Sequence, residues 1–82
     1  MENLKSTFST KDFYISAVLL ASGFPLMKLD RSKNNFITFV FEDLNNKAEI
    51  VIKNHWNRKH KIPSRNLIEA INELKTRIYS GV

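Results

Sequence analysis

Apolar residues recur along this chain with two different periods, and each change of period marks the boundary of an element. At residues 10–22 and 63–80 they recur every three or four positions, as on one face of an α-helix. Residues 26–30 and 36–41 are short apolar runs, and the second run is rich in aromatic and β-branched side chains. They flank the polar residues 31–35, and this arrangement predicts a β-hairpin.

Residues at the ends of the first helix carry signals that agree with its predicted range. Ser9 and Asp12 have the spacing of a capping box, and Phe8 and Phe13 have that of a hydrophobic staple. Gly23 follows the apolar positions of this helix. Glycine is common just past the end of a helix, because it adopts positive φ without strain. We therefore predict that the helix begins near residue 10 and ends near residue 22.

Two further helices follow the hairpin. Asp43 is the predicted N-cap of the second, which extends to about residue 57, and Pro63 or Ser64 begins the third, which Gly81 closes. The third helix has an apolar stripe at Leu67, Ala70, Ile71, Leu74 and Ile78.

These elements predict one small α+β domain, with a hairpin packed against three helices in the order α-β-β-α-α. Residues 8–82 form the domain, and residues 1–7, which are polar and lack a period, form a flexible leader. Residues 59–62 are a candidate for a short third strand beside the hairpin.

The second strand of the hairpin carries apolar side chains on both faces, because successive residues of a strand point to opposite sides. One face is predicted to pack against the helices, and the other is partly covered or available to a partner. The first face consists of Ile37, Phe39 and Phe41, and the second of Phe36, Thr38 and Val40.

Composition excludes several classes of protein. The chain has 82 residues with 43% hydrophobic residues and no Cys, which allows one packed core but no disulfide framework and no cysteine metal site. It shows neither a signal peptide nor an apolar run long enough to span a membrane, so a cytoplasmic location without membrane contact is expected.

The residue types also argue against an enzyme. There is no phosphate-binding glycine loop and no pair of carboxylates in an apolar setting. Asp12 and Asp43 are predicted caps, and Glu73 is spaced to pair with Arg77 on the surface of the third helix. The two histidines, His55 and His60, fall short of the three or four ligands of a zinc site. We therefore expect neither metal nor cofactor.

The net charge of +5 is concentrated in one place. Residues 53–65, here called the basic segment, contain five Lys or Arg and no Asp or Glu, while the remaining eight basic residues balance eight acidic ones. The five cations are Lys53, Arg58, Lys59, Lys61 and Arg65. A helix C-terminus favours nearby cations, which accounts for Lys53, Arg58 and Lys59. Lys61 and Arg65 lie closer to the N-terminus of the third helix, where positive charge is unfavourable.

Trp56 lies inside the basic segment and has two interpretations. It follows Ile52 by four residues, so it is predicted to join the core at the end of the second helix. The alternative is an exposed platform on which a nucleic-acid base stacks.

Motifs along nearly the whole chain, from about residue 8 to 80, resemble those of a family of small bacterial and mobile-element proteins that form a domain of unknown function. The matching residues are Thr10, Asp12, Tyr14, Ala17, Gly23-Phe24, Phe39-x-Phe41, Trp56-Asn57, Pro63, Leu67, Leu74 and Tyr79. The resemblance supports the fold and implies no catalytic residue. In that family an acidic residue often precedes the position of Pro63, where this chain has Ile62, so this copy is more basic.

Together these features predict a small nucleic-acid-binding or nucleic-acid-associated accessory protein. DNA or RNA would be held by its phosphate backbone through the five cations of the basic segment, with little sequence discrimination. The alternative is a protein-interaction module, either a phage or mobile-element factor that docks on a host protein or a homodimer. It would use the second face of the hairpin, formed by Phe36, Thr38 and Val40 and here called the outer face.

Overall fold

The computed structural model describes residues 6–32 and 36–81, and it confirms the α+β class. The elements are β1 (Thr7–Thr10), α1 (Phe13–Ala21), β2 (Leu26–Arg31), β3 (Ile37–Glu42), α2 (Ala48–Trp56) and α3 (Ser64–Ser80), with a single 3₁₀ turn at Leu44–Asn46 before α2. The order is therefore β-α-β-β-α-α, and the predicted α-β-β-α-α order lacked the first strand. None of the helices in the described ranges is long and apolar enough to cross a membrane.

The three strands form one antiparallel sheet in the spatial order β1-β3-β2. Both β1 and β2 pair with β3, so they run parallel to each other and α1 is the crossover between them. This is a split βαβ unit, in which a third strand lies between the two parallel ones. The third strand of the sheet is thus β1, and the prediction of a strand at residues 59–62 was wrong, because that segment is irregular.

The first strand explains why the predicted start of α1 was wrong. Ser9 lies in β1, where it pairs with Val40, and so it does not cap the helix. The N-cap is Asp12, whose carboxylate accepts the backbone N–H groups of Tyr14 and Ile15 at 2.9 and 3.0 Å. Phe8 also lies in the strand, so the predicted staple is absent. The prediction for the other end was correct, since Ser22 is the C-cap.

The core lies between the sheet and the helices, with α1 in the middle. Residues 15–19 of α1 are all buried, which is typical of a helix covered on every side. One side faces Phe39 and Phe41 of β3, and the other packs against α3 through Ala70 and Leu74. The inward face of β3 was predicted correctly.

The other face of the sheet remains largely uncovered. Val40 is half-buried, and its cross-strand neighbours are Ser9 of β1 and Lys28 of β2, both exposed. Phe36, just before β3, is 58% exposed. This outer face is therefore mostly polar, with a few apolar side chains at its borders.

The boundaries of the last two helices were only partly predicted. α2 begins at Ala48, later than expected, because the 3₁₀ turn intervenes. Asp43 still contributes, since its carboxylate accepts the N–H of Ala48 at 2.9 Å. α3 begins directly after Pro63 and ends at Ser80, and Gly81 caps it with a φ of 81°, as predicted.

Two predictions concern residues outside the described ranges in whole or in part. Of the predicted leader, residues 1–5 lie outside them, and β1 begins at its last residue, Thr7. Of the predicted hairpin turn at residues 31–35, residues 33–35 lie outside them.

Candidate nucleic-acid interface

The basic segment begins on the last turn of α2 and leaves it through a helix-terminating motif. The N–H of Lys59 donates to the carbonyl of Asn54 at 2.8 Å, and the N–H of Arg58 donates to the carbonyl of His55 at 3.0 Å. These two bonds define a Schellman motif, whose first residue past the cap adopts a left-handed conformation. The motif fixes the direction in which the chain leaves α2.

Arg58 occupies that left-handed position, with a φ of 62°. Glycine is the usual residue there, because a Cβ atom crowds the following carbonyl and costs about 1–2 kcal/mol. The arginine side chain is exposed and, among the residues that the structure describes, forms no hydrogen bond or ion pair that would offset this strain. Local stability therefore does not explain why an arginine stands here.

The middle of the basic segment is attached to α1 by one side-chain contact. Nε2 of His60 lies 2.7 Å from Oγ of Ser22, the residue that caps α1. The single hydroxyl proton of Ser22 is donated to the carbonyl of Val18 at 2.7 Å, so Nε2 of His60 is the donor in this pair. His60 is half-buried while Lys59 and Lys61 on either side are exposed. The contact therefore holds the chain and leaves the neighbouring cations in solvent.

The end of the basic segment forms the first turn of α3, where one cation is paired. Nε of Arg65 lies 3.3 Å from a carboxylate oxygen of Glu69, and both side chains are well exposed. An exposed pair of this kind contributes little stability, but it lowers the local positive charge. The first turn of α3 has no acidic residue and no side-chain cap, so its positive helix end is not neutralised there.

The other four predicted binding residues lie close together in the chain and are free. Within the described ranges, none of them has an ion-pair partner, and all four are exposed. They are Lys53, Arg58, Lys59 and Lys61. The structure thus places the predicted cations on one exposed stretch, with Arg65 at its paired end.

Trp56 does not belong to the core, so that prediction was wrong. Its side chain is 66% exposed, although it is the last residue of α2. The inward face of α2 is formed by Ala48, Val51 and Ile52. At 100° per residue, Trp56 lies about a quarter of a turn from the centre of this face. The ring of half-buried His55 lies beside the indole, with 5.1 Å between ring centroids.

The basic residue at the start of the predicted hairpin turn has a structural role that the sequence did not reveal. The guanidinium of Arg31 donates to the carbonyl of Ile78 at 2.8 Å, in the last turn of α3. A cation at this position interacts favourably with the helix end. Lys11 makes a cation–π contact, with its ammonium 5.5 Å from the ring centroid of Phe36.

A groove between the start of α1 and the end of α3 was also not predicted. It has a volume of about 310 Å³ and is lined by Phe13, Tyr14, Lys75, Ile78 and Tyr79. Both tyrosines are exposed, and the apolar periodicity of α1 gave no indication that Tyr14 would lie outside the core. We call this feature the aromatic groove.

The fold and site define a small α+β domain built on a split βαβ unit, with an exposed basic segment between its last two helices. The family model described as Domain of unknown function (DUF5659) matches residues 5–80, nearly the whole chain. The chain belongs to this family, which confirms the predicted membership of a family of unknown function. A bacterial or mobile-element origin remains a prediction. Neither the curated proteins nor the solved structures include a match to the chain.

Proposed function

We propose that this protein is a small nucleic-acid-binding accessory protein, active in the cytoplasm, that binds the phosphate backbone through its basic segment and performs no catalysis. The supporting observation is that Lys53, Arg58, Lys59 and Lys61 are exposed and have no ion-pair partner within the described ranges. Phosphate contacts supply most of the affinity of sequence-independent binding, and they need cations that are free in the unbound protein.

The geometry of the segment supports ligand binding over simple solvation. Free cations on a surface are ordinary, but Arg58 occupies a strained left-handed position that glycine would fill without strain. Strain that local stability does not require is common at functional sites. The contact between His60 and Ser22 also restricts the segment before any ligand arrives, which lowers the entropy lost on binding.

Arg65 takes a smaller part in this proposal than the other four cations. Its pairing with Glu69 must be broken or shared before it contacts a phosphate. With about four phosphate contacts, log affinity should fall with log salt at a slope of about −3.6 on duplex DNA and about −2.8 on a single strand.

The test is binding of a fluorescently labelled oligonucleotide, followed by anisotropy from low to moderate salt. A variant with Arg58, Lys59 and Lys61 changed to Glu should lose on the order of 100-fold or more in affinity. The matched control changes Lys28, Lys47 and Lys75 to Glu, which are exposed cations outside the basic segment. Both variants have the same net charge, so equal binding by the two would refute a role for the basic segment.

A second candidate function is a protein-interaction module that uses the outer face of the sheet. The observation that favours it is the exposure of two large apolar side chains of the hairpin, Phe36 just before β3 and Met27 in β2. A Phe36→Ser and Met27→Ser variant should then lose self-association, measured by light scattering of the concentrated protein. A wild type that is monomeric at every concentration would exclude the homodimer.

A further inference from the structure

We infer that the nucleic acid bound by this protein is single-stranded, and that one of its bases stacks on the indole of Trp56. This inference rests on the proposed function and specifies its substrate class. It begins from the exposure of Trp56, which is 66% although the side chain is the largest apolar group on α2. An exposed indole beside free cations has the composition of a base-stacking site.

The position of Trp56 relative to the cations fits one strand of nucleic acid. Lys53 precedes it by three residues on α2, so the two side chains are neighbours on one exposed helix face. Arg58 follows two residues later, at the left-handed turn that directs the chain away from the helix. The indole therefore has a free cation shortly before it and another shortly after it in the chain.

The neighbouring ring leaves the indole available for such stacking. His55 is half-buried and lies at 59° to the plane of Trp56, with 5.1 Å between centroids. This tilted contact supports one part of the indole and does not cover it as a parallel stacked ring would.

Exposed bases are the reason to prefer a single strand over a duplex. In a duplex the faces of the bases are already stacked on one another, and a protein must unstack them to use them. A single strand offers a free aromatic face at every base, and stacking on an aromatic side chain tolerates any sequence.

The experiment compares a labelled oligothymidine with a hairpin duplex of similar length, using wild type, Trp56→Ala and Trp56→Phe. The single strand should bind the wild type more tightly than the duplex. Trp56→Ala should weaken single-strand binding by about 5- to 100-fold, as expected for the loss of one stacked base, with the salt slope unchanged. Trp56→Phe should retain most of the affinity. Tyr79→Ala, which removes another exposed aromatic ring, is the control and should bind like wild type.

Fluorescence gives an independent readout, because Trp56 is the sole tryptophan in the chain. Its emission should be quenched as oligothymidine is added. The inference would be overturned if Trp56→Ala binds like wild type while the Arg58, Lys59 and Lys61 charge reversal abolishes binding. That result would leave the proposed function intact. Failure of the charge reversal to change binding would instead refute the proposed function itself.

Discussion

The two ends of the antiparallel α1 and α3 pair use the same kinds of residue in different ways. At one end, the aromatic groove lies between the start of α1 and the end of α3, and nearby Arg31 is bonded to the carbonyl of Ile78. At the other end, the end of α1 meets the basic segment through the contact between Ser22 and His60. There the cations Lys59 and Lys61 are exposed and have no ion-pair partner in the described part of the chain.

This difference separates structural residues from candidate functional ones. Arg31 and Phe13 have partners inside the domain, since Phe13 packs edge-on against Phe39 with 6.3 Å between centroids. Trp56 and Arg58 are likewise an aromatic residue and an arginine, but both side chains are exposed to solvent. Arg58 has no ion-pair partner among the described residues. We therefore expect loss of a side chain that has a partner inside the domain to change stability, and loss of an exposed cation or of Trp56 at the basic end to change binding.

The largest expected effect is that of Phe13→Ala at the aromatic end. Phe13 is half-buried and contacts the core, so its loss should lower the free energy of unfolding by about 2–3 kcal/mol. In a domain of this size, that corresponds to a fall in melting temperature of roughly 10–20 °C. Thermal denaturation followed by circular dichroism measures it. Oligonucleotide affinity, measured well below the melting temperature, should be unchanged, and a large loss of affinity would contradict the division between the ends.

The next effect is that of Ser22→Ala at the basic end. It removes the hydroxyl that bonds both His60 and the carbonyl of Val18, which should lower the free energy of unfolding by about 1 kcal/mol. Hydrogen exchange of the amides in residues 57–61 should accelerate, because the segment loses its attachment to α1. Ser22→Thr keeps the hydroxyl and serves as the control. Equal exchange rates in the wild type and Ser22→Ala would show that the contact does not restrain the segment.

Arg58→Gly is expected to act on stability and binding in opposite directions. Glycine relieves the left-handed strain, and after allowance for its greater freedom in the unfolded chain, stability should rise by about 0.5–1 kcal/mol. Binding should weaken, since one free cation is lost, and the salt slope should become shallower by about 1. Arg58→Ala loses the same charge but keeps the strain, so it should bind equally weakly without the gain in stability. Unchanged affinity in both variants would exclude a phosphate contact by Arg58.

The smallest effect is that of Glu69→Gln, which releases Arg65 from its ion pair. Because the pair is exposed, the free energy of unfolding should change by less than about 0.5 kcal/mol. Affinity for an oligonucleotide should rise a few-fold at low salt, and the gain should fade as salt screens the charges. Glu73→Gln, which releases the similarly spaced but less exposed Arg77 further along α3, is the control and should raise affinity less. A decrease in affinity for Glu69→Gln would indicate that Glu69 positions Arg65 for binding.

Much of the fold could be predicted because its signals are local. Gly81 at the end of α3, Asp12 near the start of α1 and the pairing of Glu73 with Arg77 depend on residues within one or two helical turns. The first strand could not be predicted in this way. Residues 7–10 form a strand because they pair with β3, about 30 residues further along the chain, and the capping pattern at Ser9 suggested a helix start instead.

The candidate site was also predicted only in part, because some of its features are local to the sequence and others are not. The excess of positive charge in residues 53–65 is a property of the sequence, and it led directly to the five cations. Which of them are free depends on contacts that the excess of charge does not reveal, some within one helix and some between distant segments. Arg65 has a partner on the next turn of α3. Arg31, at the start of the predicted hairpin turn, donates to a carbonyl of the same helix.

The sequence by itself determined the α+β class, the ends of α3, the inward face of β3 and the local concentration of charge. These depend on periodicity and on neighbours close in the chain. Only the tertiary structure decided that β1 completes a split βαβ sheet, that Arg31 donates a hydrogen bond to the last turn of α3, and that Trp56 is exposed to solvent. Each of these depends on which distant segment packs against the residue, and the period of a single element does not contain that information.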